Sequence, residues 1–73
     1  MANKMTLEEV RAKVVWEGGL RATIEYGLKA TDIADPALAA AWRAASALYD
    51  PKADRWAADP GDLVNKLDRM IHA

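Results

Sequence analysis

The sequence predicts an all-α fold: a small compact bundle of three main helices plus a short connecting helix, in one domain covering 1–73. Three observations carry that reading. Charged residues recur at every fourth position with alternating sign: Glu9, Lys13, Glu17, Arg21, Glu25, Lys29. Residues four apart are neighbours on a helix surface, so the row reads as a strip of ion pairs along one edge. Three Asp-Pro pairs, Asp35-Pro36, Asp50-Pro51 and Asp59-Pro60, punctuate the rest of the chain. Finally, no stretch alternates apolar and polar residues as a half-buried strand would, so no sheet is expected.

The first helix is expected near 7–27. Thr6 and Glu9 have the spacing of a capping box, in which each side chain satisfies a free backbone N–H. Met5 and Val10 stand at the staple positions around that cap. Gly27 suits the end, because glycine enters the left-handed conformation at little cost. Gly18-Gly19 is the difficulty. Each glycine inside a helix costs about 1 kcal/mol relative to alanine. The charge row runs through the pair, and Glu17–Arg21 has the favourable acid-first order. The expectation is an unbroken helix, with a break at the pair as the competing reading. Close approach of another helix to the small residues Gly18, Gly19, Ala22, Thr23 and Gly27 would compensate the cost.

An unbroken first helix has one wet edge. Beside it runs Glu8, Ala12, Trp16, Leu20, Ile24, Leu28, and on the other side Val10, Val14, Gly18, Ala22, Tyr26. Opposite the wet edge run Arg11, Val15, Gly19, Thr23 and Gly27. A loop through 30–34 comes next, with Ile33 as an apolar plug. Asp is a strong N-cap and Pro fits the first helical turn, so each Asp-Pro pair reads as a helix start. That places a second helix near 36–49, a short helical turn near 51–58, and a last helix near 60–72. The second helix is rich in alanine, with Leu38, Trp42, Ala45 and Tyr49 on one face and Arg43 its only charge. It is buried either on several sides or on one side with bare alanine opposite. The last helix is amphipathic: Leu63, Val64, Leu67, Met70 and Ile71 form the apolar stripe.

Composition narrows the function classes. A chain of 73 residues buries about 60% of its unfolded surface and leans on tight packing or association. It has no Cys and one His, His72, so disulfides and thiolate metal sites are excluded, and no cofactor is expected. Ten Lys/Arg and eleven Asp/Glu give a net charge of −1. They are spread evenly, which disfavours nucleic acid as a partner, since its binders carry a basic face. Met1-Ala2-Asn3-Lys4-Met5 lacks the apolar run of a signal peptide, and Arg43 interrupts the longest uncharged run. The expected location is therefore cytoplasmic, with no membrane contact.

No catalytic constellation is legible, and the expectation is that the protein is not an enzyme. His72 lies in a region where chains fray, Ser46 has no His to activate it, and Gly18-Gly19 comes after no strand. Asp50, Asp54, Asp59 and Asp62 fail the spacing of a calcium loop. The reading that remains is a small protein-interaction module, an adaptor, regulator or accessory subunit acting through apolar helix faces. Its partner would be a protein or a second copy in a homodimer. The residues expected to bind that partner are Trp16, Leu20, Ile24 and Trp56, because tryptophan is enriched at interface hot spots. The alternative is a small helix-turn-helix-like DNA-binding regulator that reads DNA through Lys52, Arg55 and Trp56.

Overall fold

The computed structural model describes residues 4–72; residues 1–3, part of the segment read for a signal peptide, and residue 73 lie outside it. The described chain is mostly helical, with three eleven-residue α-helices and one small two-stranded sheet. The sheet corrects the all-α expectation, and the first helix corrects the unbroken rod.

Helix α1 spans Leu7–Glu17. The capping box forms: Glu9 N donates to Thr6 Oγ1, and Thr6 N donates to Glu9 Oε1. Met5 does not simply flank the cap. It makes a parallel bridge to Ile33, with Met5 N donating to the Asp32 carbonyl (2.7 Å) and Ala34 N to the Met5 carbonyl (2.9 Å). That bridge seats Ile33 in the core.

At Gly18-Gly19 the helix stops. Gly19 N donates to the Val14 carbonyl (2.9 Å) and Gly18 N to the Val15 carbonyl (3.2 Å), the two bonds of a Schellman termination. Gly18 has φ +89° and Gly19 φ +137°, conformations that a side chain makes costly. Among the described residues, nothing lies within 4 Å of where a Cβ would stand on either glycine. These glycines therefore serve backbone conformation, not the close helix approach expected for them. The magnitudes explain the outcome. One Glu–Arg pair across the break is worth about 0.2–0.5 kcal/mol, less than the roughly 2 kcal/mol cost of holding two glycines in a helix.

Beyond the break, α2 (Leu20–Ala22) runs into a π-helical turn, Thr23–Gly27. The turn is anchored by Thr23, which is fully buried and donates Oγ1–H to the Gly19 carbonyl (2.7 Å). Leu28 N closes it by donating to the Thr23 carbonyl. The segment folds back on α1: a Cβ on Gly27 would stand 2.8 Å from Glu17 Cγ. The small-residue contact is thus made at Gly27, and to α1 itself. Leu28 and Lys29 are extended, and they lead into a 3-10 turn at Ala30–Asp32.

Helix α3 spans Pro36–Ser46. Asp35 caps it by accepting from Leu38 N (2.8 Å), with Pro36 in the first turn. Leu38, Ala41, Trp42 and Ala45 are buried, while Ala37, Ala40 and Ala44 are exposed. The helix is therefore buried on one side with bare alanine opposite. Trp42 is 0% exposed, and its Nε1–H donates to the Leu28 carbonyl (3.1 Å).

Asp50-Pro51 starts a hairpin, where a short helical turn was expected. Strands β1 (Tyr49–Asp50) and β2 (Arg55–Trp56) pair antiparallel, Tyr49 opposite Trp56. Asp50 Oδ1 accepts from Lys52 N and Ala53 N, and Asp54 sits at φ +50°. The side chain that caps a helix also closes a turn, and here the turn wins.

Helix α4 spans Gly61–Ile71, one residue after the expected start. Leu67 and Ile71 complete the core with Val10, Leu38 and Trp42. Arg11 crosses from α1 to the end of α4, where both Nε and Nη2 donate to the Ile71 carbonyl. That carbonyl has no partner within its own helix, so a guanidinium there also suits the negative end of the helix dipole.

Candidate functional site

The break at Gly18-Gly19 scatters the four residues that helical periodicity had grouped as a binding face. Trp16 stays on α1 and is 83% exposed. Leu20 opens α2 and is half-buried against the core. Ile24 belongs to the π turn and is only 7% exposed, packed in the core. Trp56 lies on β2 and is half-buried. Its ring centroid is 5.2 Å from that of Tyr49, and its Nε1–H donates to Glu25 Oε1 (2.7 Å). Of the four, only Trp16 projects freely.

Beside Trp16 stands Val15, 75% exposed. In the four-residue rows Val15 lies opposite the charges, a place that gave it no role at a surface. The core side of α1 is set by Val10 and Val14. At 100° per residue, Val15, Trp16 and the exposed Ala12 all fall on the outer side. Glu8 and Glu9 border that patch toward the helix start.

The expected ladder of ion pairs is mostly dismantled. Lys13–Glu17 forms within α1 at 3.0 Å. Glu9 is used in the cap. Arg21 turns instead to Asp59 (3.0 Å). Glu25 accepts the Trp56 indole, and the extended backbone at Leu28 and Lys29 takes Lys29 out of helical register with it.

A second polar cluster was not legible in the sequence. Tyr26 and Tyr49 both donate their hydroxyls to Asp54 Oδ1. Those bonds hold the Asp54 carboxyl below the usual carboxylate range, the Tyr49 bond contributing most. The Asp54 carboxylate in turn pushes both tyrosines up. Together with Trp56–Glu25, this clasp ties the hairpin to the π turn. Between those two elements and the start of the 3-10 turn lies an open groove of about 250 Å³.

Among the described residues no group of three or more His, Asp or Glu side chains is placed to hold a metal ion. No helix among them is long and apolar enough to cross a membrane. Lys52 lies in the hairpin turn and Arg55 on β2, so the segment that a helix-turn-helix would use for reading is not helical. Comparison with protein-family models, curated proteins and solved structures gives no match.

Proposed function

We propose that this chain is a non-enzymatic interaction module that docks a protein partner, or a second copy of itself, on the outer face of α1. The observation that carries the reading is the exposure of Trp16, 83%, beside Val15, 75%. Single apolar residues at a surface are ordinary. An indole and a valine side by side on a rigid helix, with a small residue one turn before and acids at the border, have the make-up of a hot spot inside a polar rim. Leu20, Ile24 and Trp56 then act from behind. Ile24 belongs to the core, and Leu20 and Trp56 pack against that core.

Sedimentation of the purified protein at micromolar concentration, paired with affinity capture from its native cell, tests the reading. The expected result is a mass above the monomer or a stoichiometric co-purifying protein. Trp16→Ser should abolish it without altering the circular dichroism melt. A clean monomer that captures nothing, with Trp16→Ser indistinguishable from wild type, removes the proposal.

A further inference from the structure

We propose that the groove between the π turn and the hairpin binds a free apolar α-amino acid. The groove has an apolar floor of Ile24, Leu28, Tyr49 and Pro51, and both Glu25 and Lys29 line it. Its volume, about 250 Å³, lies below the ~300–1,000 Å³ of sites for drug-sized molecules and suits a ligand of roughly ten heavy atoms.

The two charges define the ligand class. Glu25 and Lys29 are four residues apart, yet they form no ion pair with each other. The backbone explains why: Leu28 is extended at φ −155°, ψ 136° and Lys29 at φ −101°, ψ 151°, which removes the helical neighbour relation. Only Glu25 has its side chain held. The Trp56 indole N–H holds Glu25 Oε1, leaving the second carboxylate oxygen for another donor. Lys29 is held at its backbone, where its N–H donates to Asp32 Oδ2 (3.1 Å), and its ammonium has no ion pair among the described residues. A simple carboxylate would meet Lys29 but be repelled by Glu25, and a simple amine the reverse. A zwitterion satisfies both, its ammonium on Glu25 and its carboxylate on Lys29, while an aliphatic or aromatic side chain covers Tyr49 and Ile24. Apolar area alone would not discriminate ligands here; the charge pair does. A ligand of this size in an open groove binds with a Kd of about 0.1–1 mM.

Titration of the isotope-labelled full chain with L-leucine, read by amide and indole N–H chemical shifts, tests the assignment. Saturable shifts are expected at Leu28, Lys29 and the Trp56 indole. Isocaproate lacks the ammonium, isoamylamine lacks the carboxylate and glycine lacks the side chain. Each should bind at least about tenfold more weakly to the same wild-type protein. Lys29→Met and Glu25→Gln should each weaken leucine by a similar factor; the glutamine keeps an oxygen for Trp56. Trp16→Ser should leave leucine binding unchanged, which separates this proposal from the docking face on α1. Absence of saturation by about 10 mM leucine, equal binding of isocaproate, or shifts centred on the Trp16 indole would overturn it.

Discussion

Trp42 and Trp16 are the same side chain on two eleven-residue helices, with opposite fates. Trp42 on α3 is fully buried and hydrogen-bonded to the Leu28 carbonyl, while Trp16 on α1 stands in solvent. The difference lies in the path the chain takes after each helix. After α3 the chain turns into a hairpin, and α4 then returns to cover Leu38 and Trp42. After α1, the diglycine folds the chain back onto the side bearing Val10 and Val14, so the other side is left uncovered by the described residues. A helix does not decide which of two apolar faces becomes core; the turn at its end decides.

The sharpest way to test that contrast is to remove each indole. Trp42→Ala deletes the largest fully buried side chain, and we expect a loss of about 3–5 kcal/mol, enough to leave the chain largely unfolded by circular dichroism at room temperature. Gly19→Ala attacks the cause. Gly19 sits at φ +137°, ψ 168°, a region almost reserved for glycine, and we expect a cost of about 1–3 kcal/mol. In a urea melt this appears as a lower midpoint with an unchanged slope. Arg11→Met keeps the aliphatic stem but removes both donors to the Ile71 carbonyl, and we expect about 1–2 kcal/mol. Hydrogen exchange should show the last turn of α4 opening before its middle. Trp16→Ser is the smallest effect, within about 0.5 kcal/mol of wild type, because that indole is 83% exposed.

The clasp at Asp54 responds to pH at both ends of the scale. Its carboxyl is lowered in the folded chain, so its contribution is present above the ordinary Asp value of 3.8 and is lost as pH falls through the depressed value. The tyrosines are raised, so theirs is present below 10.0 and is lost as pH rises through their folded values. Tyr26 and Tyr49 are the only tyrosines in the chain. An alkaline titration read by tyrosinate absorbance should therefore show no component at the ordinary value, and Asp54→Asn should restore one.

The legible parts of the fold were those set by neighbours in sequence. Thr6 with Glu9, Asp35 with Pro36, and the Leu63–Leu67–Ile71 spacing each act within one or two helical turns, and each forms in the structure. The misread parts share one cause, a local signal with two meanings. Asp50-Pro51 has the same chemistry whether it opens a helix or a turn. Two-residue strands are too short to alternate. The charge row satisfied helical spacing, but its pairs are too weak to hold two glycines in a helix. The groove charges were illegible because the separation of Glu25 from Lys29 depends on the extended backbone at Leu28. Val15 carried no signal beyond its apolarity; its exposure results from the direction the chain takes after Gly19.

The Arg11–Ile71 tie has a consequence for how the molecule is made. Its acceptor emerges in synthesis sixty residues after its donor. Until Ile71 is available, a nascent chain holding only α1 to α3 leaves Val10, Leu38 and Trp42 without their α4 cover. Such a chain is an incomplete apolar surface, sticky toward chaperones and toward its own copies. Docking of the last helix is thus the step that closes the apolar surface left open by α1 to α3.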